Sequence, residues 1–325
     1  MGRLAVSRSL VALCIVALSA SSAPAGFAQG KSEGREEAPR GTPVLWRMPS
    51  DISSRDLFHG PGGEAGRPDL SRVTFVEEET GGFSTKYRVK DGAGRVWVAK
   101  IGKEAQSETA AVRLVWAVGY VTEINYLVPR LTIEGKGTFE NVRLEARPEN
   151  IKRLDEWKWS ENPFAGTKEL QGLVILMALL NNWDIKDSNN KVLHARDRGE
   201  LHYIVSDLGA TFGRVKSGAP VIWRIRRNRN DPEDYFKDPF LEDVKRGNVL
   251  LFYKGKRQDL FDDLRVEEAR WIGGLLARLT DEQLGDAFRA ANYTPDEIRL
   301  LTEAVRTRIS ELVNLSPGGS LGRKD

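Results

Sequence analysis

The sequence is poor in the residues from which many sites are built: one cysteine, Cys14, and three histidines, His59, His194 and His202, in 325 residues. No two of those histidines stand at the HExxH spacing, so a histidine-rich zinc hydrolase has little to build on. A GxSxG elbow is missing too, which leaves a serine hydrolase without support. There are no internal repeats, no coiled-coil heptads, and no low-complexity tract beyond the first 68 residues. The formal net charge is only +3. A general nucleic-acid binder neutralises many phosphates and carries a far larger excess of cations, so none is expected.

What is present begins at the N-terminus. Arg3 and Arg8, with no acid beside them, precede the apolar stretch LVALCIVALSA and then small residues around Ala23-Pro24-Ala25 and Ala28. This is the three-part layout of a secretory signal, and its apolar run falls well short of the roughly 20 residues that span a bilayer. Residues 1–28 are therefore expected to be a signal peptide, cut near Ala25 or Ala28, with export to a periplasmic, extracellular or secretory lumen. Loss of Arg3 and Arg8 takes the charge from +3 to +1. It also leaves no thiol, hence no disulfide and no cysteine-ligated metal in the mature chain. Leu13 stands where a lipid-attachment site before Cys14 would need a small residue, so a lipid anchor is not expected.

The full sequence is 40% hydrophobic and 29% charged, enough for a sizeable core in one large or two modest domains. Residues 29–68, rich in Gly, Pro, Ser and charge, read as a flexible leader. From 69 to 150 the texture is that of strands plus one helix. VTFVEEETGGFSTKYRVKDGAGRVWVAKI reads as three strands joined at Gly81-Gly82 and at Asp91-Gly92-Ala93-Gly94. Ser107 can cap a following helix with Glu108, Val112 and Val115 on one face, and RLTIEG and ENVRLEAR read as further strands. From 151 to 315 the chain turns helical. Thr167 can cap KELQGLVILMALLNN, apolar nearly all round and so a central buried helix, while Thr280 with Gln283 and Thr294 with Glu297 form capping boxes. Residues 316–325 read as a disordered tail. Strands first and helices after predict an α+β protein with segregated lobes.

Four pieces of chemistry occur in order. Lys100 ends the strand VWVAK, and Glu108 opens the following helix. Asp184 and Asn189 stand five apart in D-I-K-D-S-N, with Lys186 between them; Ser206-Asp207-Leu208-Gly209 then follows the apolar LHYIV. An aspartate at the end of a buried strand before glycine is well placed to hold a hard cation through oxygen. Each piece alone has a plainer use, as a turn, a solvated charge or a helix-end charge.

Their joint order resembles the protein-kinase-like superfamily in an atypical branch, similar to the HipA-type, phosphoinositide-kinase-like and secretory-pathway kinase-like groups. The resemblance covers about residues 72–215 and implies a bilobal protein-kinase-like fold, a strand-rich N-lobe and a helical C-lobe. It implies Lys100 on the nucleotide phosphates with Glu108 as its partner, and Gly82 and Ser84 on the phosphate loop. Asp184 is the implied base, Lys186 offsets charge on the transferring phosphoryl, and Asn189 and Asp207 hold Mg2+ or Mn2+ with ATP. Asn182-Trp183-Asp184 replaces His-Arg-Asp, so activation through a loop phosphate is not expected. The expected function is an exported phosphotransferase acting on an unknown protein or small-molecule hydroxyl. Transfer of AMP from a reversed nucleotide stays open, as does a cytoplasmic HipA-type kinase with an unused signal. From another class stands a pseudokinase, a nucleotide-binding or scaffold module of the cell envelope.

Two smaller features complete the reading. VIWRIRRNRN alternates Trp223 and Ile225 with arginines, as a strand with one charged face would. EWKWSENPF, with Trp157, Trp159 and Phe164, suits packing between lobes or a shelf beside the nucleotide.

Overall fold

The computed structural model describes residues 40–80, 84–216 and 226–316. The expected signal at 1–28, Gly81, Gly82, Trp223 and Ile225, and the tail beyond 316 lie outside the described residues. The flexible leader expected over 29–68 is corrected from Gly41 onward. β1 (Thr42–Val44) pairs in parallel with a strand at Glu200–Val205, and Leu45, Ile52 and Leu57 are buried. Gln283 donates to the carbonyls of Ile52 and Arg55, which anchors the turn between them. The three apolar side chains follow no regular period, so a pattern search over this Gly- and Pro-rich stretch finds nothing.

The N-lobe is a five-stranded antiparallel sheet in which hydrophobic alternation has its usual result, one face on a core and one on a cleft. Its strands are β2 (Thr74–Glu78), β3 (Thr85–Lys90), β4 (Val96–Ile101), β5 (Asn125–Ile133) and β6 (Gly137–Ala146), in the order β2-β3-β4-β6-β5. The turn after β3 is built by Asp91, whose carboxylate accepts from the amides of Ala93 and Arg95 and from the Trp97 indole. Between β4 and β5 runs α1 (Glu104–Ala117), packed on β5 and β6. The expected Ser107 cap is a correction: the helix starts a turn earlier, and the Ser107 hydroxyl donates to the Gly209 carbonyl at 2.9 Å. A tertiary partner has taken the hydroxyl that a local cap would have used.

The C-lobe holds helices, as expected, and also a second sheet. β7 (Ile151–Arg153), β8 (Asn190–Ala195) and β9 (Glu200–Val205) join β1 in the order β1-β9-β8-β7. α2 (Lys168–Leu179) is buried along nearly its whole length, its first turn capped by the Thr167 hydroxyl. Trp157 and Trp159, with ring centroids 4.9 Å apart, pack into the core around α2, and the Trp157 indole donates to the Ile204 carbonyl. They do not form a shelf in the cleft.

Further on come the short pair β10 (Val215–Lys216) and β11 (Arg226–Arg227), then α3 (Pro232–Lys237) and the hairpin β12 (Leu241–Lys245) and β13 (Asn248–Leu251). The chain closes with α4 (Val266–Leu276), α5 (Asp281–Arg289) and α6 (Pro295–Val313). α5 and α6 open with the expected capping boxes at Thr280 and Thr294. The architecture is a bilobal, kinase-like α+β fold. Among the described residues no helix is long and apolar enough to cross a membrane.

Candidate active site

Register in the first sheet sets the upper wall of the site. Lys86 lies opposite Lys100 and Lys100 opposite Arg143, so three cationic side chains share the face of the sheet turned to the cleft. Lys100 is 5% exposed and is answered by carboxylates: its Nζ is 2.8 Å from Glu108 Oε2, 3.0 Å from Glu104 Oε2 and 3.5 Å from Asp207 Oδ1. Burial disfavours the ammonium, but Glu108 and Asp207 outweigh it, and the Lys100 pKa is raised above its ordinary value. Burial also pushes the Asp207 carboxyl up; Lys100 and the Gly209 amide outweigh that and hold it below the usual value. Both groups therefore meet a ligand in their charged forms.

The lower wall comes from the ends of the second sheet. A turn of 3-10 helix over Asp187–Asn189 leads into β8, and Asp207 follows β9. The Asn189 carbonyl accepts from the amides of both Ser206 and Asp207, tying the two loops together. Its side-chain amide donates to the Asp184 carbonyl at 2.8 Å. Gly209 sits so close to α1 that a Cβ there would lie 2.8 Å from Glu104 Cβ, which explains a glycine at that step. Lys100, Glu108, Asn189 and Asp207 line one cavity of about 240 Å³.

Asp184 and Lys186 lie on the same loop but do not line that cavity. Lys186 Nζ is 3.1 Å from Asp184 Oδ2, and Lys256 Nζ is 2.5 Å from Oδ1. Oδ1 is shielded from solvent, with the Lys256 ammonium as its close neighbour. Lys256 is held there by its own amide, which donates to the Trp183 carbonyl, and by the Tyr253 hydroxyl, which donates to the Asn182 carbonyl. Burial and the nearby Asp184 carboxylate push the Tyr253 hydroxyl pKa well above its ordinary value, so it remains a donor. Ser84 is not directed at a phosphate position here: its hydroxyl donates to Glu104 at 2.8 Å. Gly82 lies outside the described residues.

Sequence reasoning missed three residues. Glu104 shares Lys100 with Glu108 and also pairs with Arg229; its signal was the repeated spacing of four in Lys100, Glu104 and Glu108. Lys256 had none, being set by the packing of a distant loop. Arg143, 1% exposed, stands behind Lys100 and reaches Glu108 Oε1 at 3.4 Å, Glu123 Oε2 at 3.3 Å and Glu145 Oε2 at 2.9 Å. Its faint signal was a charge between Val142 and Leu144 in a strand. Glu145 further binds Arg147 and Arg153; burial pushes its carboxyl up, but the three arginines hold it well below the usual range. Burial, then the neighbouring Glu145, holds Glu123 above its usual value. Glu123 is thus the member of the pair that accepts a proton more readily.

No protein-family model matches the sequence, and no curated protein is significantly similar to it. Among solved structures, the crystal structure of a Helicobacter pylori proinflammatory kinase, CtkA, is similar over 77% of this chain and 96% of that one, at 12% identity and a TM-score of 0.46. The kinase-like fold rests on the architecture described above.

Proposed function

We propose that this chain is an atypical kinase-like phosphotransferase, of the kind represented by the HipA-type, phosphoinositide-kinase-like and secretory-pathway kinase-like groups. It takes ATP with Mg2+ or Mn2+ between its lobes, in an exported compartment, and passes the γ-phosphoryl group to an unidentified hydroxyl. One observation carries the reading: Lys100, paired with Glu108, faces Asp207 across the cavity that Asn189 also lines. A charged, already desolvated lysine reorganises little on taking phosphate oxygens.

The donor set fits a hard cation. Asp207 Oδ1 accepts from the Gly209 amide, while Oδ2 has no partner among the described residues. Asn189 uses its NH2 on Asp184, which leaves its amide oxygen for a metal. Oxygen ligands this few, completed by phosphates and water, suit magnesium. When bound, the ion would neutralise charge on the β and γ phosphate oxygens.

In this reading Asp184, with Lys256 at Oδ1 and Lys186 at Oδ2, takes the acceptor's proton. The hydroxyl oxygen bonds to the γ-phosphorus, the bond from that phosphorus to the β–γ bridging oxygen breaks, and ADP leaves with the electron pair. Lys186 and Lys256 offset negative charge beside the base. A second reading, a nucleotide-binding module without turnover, is favoured by Asp184, which does not line the cavity of Lys100 and Asp207 and is held by Lys186 and Lys256.

The experiment is a thermal-shift titration with ATP and magnesium, on the wild type and on Asp207→Ala, with release of ADP followed in parallel. A ligand bound only to the folded state raises its stability by about 2.7 kcal/mol at a hundred times its Kd. A metal-dependent shift that Asp207→Ala lacks, together with ADP release, supports the enzyme. The shift without ADP release selects the binding module, and no shift at millimolar ATP overturns both.

A further inference from the structure

Arg147 and Arg153 line a second cavity as well, larger than the cleft at about 390 Å³. Its apolar walls include Trp116 and Leu193, and its cations are these two arginines with Arg47 and Arg198, against the acids Glu123 and Asp197. That volume is within the usual range for small-ligand sites, and a mostly apolar lining with a few convergent polar groups is their usual chemistry.

The arginines are not equally engaged. Arg47 is paired with Glu200, Arg147 with Glu145, and Arg153 with Glu123 and Glu145. Arg198 is exposed, and its guanidinium has no ion pair or hydrogen bond among the described residues. A guanidinium on hand at the rim of an apolar chamber matches a ligand with an apolar body and one anionic head.

We propose that this cavity is a binding site for a small amphipathic carboxylate, its alkyl or aryl body against Trp116 and Leu193 and its head on Arg198, with Arg147 next in reach. Arg147 and Arg153 hold Glu145 and Glu123, these hold Arg143, and Arg143 holds Glu108. A guest drawing on Arg147 therefore pulls on the chain of ion pairs behind Lys100. That coupling rests on the nucleotide reading above; the binding itself does not.

The test is calorimetric titration of the full chain, without nucleotide, using 4-phenylbutyrate and its neutral twin 4-phenylbutanol. One site is expected, with the acid bound at least about tenfold more tightly than the alcohol. Arg198→Glu, a change at an exposed side chain with no ion pair among the described residues, should weaken the acid by about tenfold or more and leave the alcohol unchanged. Equal affinity for the two probes, an acid affinity untouched by Arg198→Glu, or no binding at millimolar probe overturns the proposal. None of these outcomes depends on ATP, so a failure here is separate from a failure of the phosphotransferase reading.

Discussion

Lys100, on β4 of the first sheet, and Asp207, just past β9 of the second, face each other across the cleft at 3.5 Å. The pair joins the two lobes inside the cavity that Glu108 and Asn189 also line. Lys100→Met leaves Glu104, Glu108 and Asp207 without their shared cation, although Glu108 keeps Arg143. The expected result is at least a tenfold loss of Mg-ATP affinity and a stability loss of about 3 kcal/mol, the low end for a broken buried pair. Urea denaturation and the thermal shift measure both; a variant matching the wild type in each would refute the assignment.

The same pair sets a pH window. Asp207 has its folded pKa below the ordinary 3.8, so its contribution is present above that value and is lost as pH falls through the folded pKa. Lys100 has its folded pKa above the ordinary 10.5, so its contribution is present below that value and is lost as pH rises through the folded pKa. The stability difference between wild type and Lys100→Met should stay flat from about pH 5 to about pH 9. A difference that melts away near neutrality would contradict the charged pair.

Asp184→Asn keeps the side chain's shape and removes its capacity to accept the proton. Turnover should fall by about 10²- to 10⁴-fold while the Mg-ATP thermal shift persists. Lys256→Met, with Lys186 still in place, should cost about ten- to a hundredfold in kcat. Full activity in the Asn variant would remove Asp184 as the base.

Glu123 and Glu145 both touch Arg143 but carry opposite pKa shifts. Glu145→Gln removes the carboxylate that three arginines share and should destabilise by about 3 to 5 kcal/mol. Glu123 holds its proton more readily than Glu145 and pairs with two arginines, Arg143 and Arg153, rather than three, so Glu123→Gln should cost less than Glu145→Gln. Urea midpoints in the reverse order would contradict that ranking.

The capping boxes allow a smaller test. Thr294→Ala removes the acceptor for the Glu297 amide and should cost about 1 kcal/mol. A neutral result in urea denaturation would mean that α6 is held by its packing alone.

The sequence by itself determined whatever depends on neighbours a few positions apart: the strands of 74–101, the buried α2 with its Thr167 cap, the boxes at Thr280 and Thr294, and the order from Lys100 to Asp207. Periodicity and capping are written locally, so they can be read locally. Only the tertiary structure decided that residues from Gly41 belong to the body of the protein, that Ser107 bonds to Gly209 rather than capping α1, and that Glu104, Arg143 and Lys256 stand at the site. Lys256 and Asp184 meet because Tyr253 and the Trp183 carbonyl fix one loop against another. A buried charge finds its partner wherever packing delivers one, because leaving it unpaired costs far more than closing the long loop that brings the partner in.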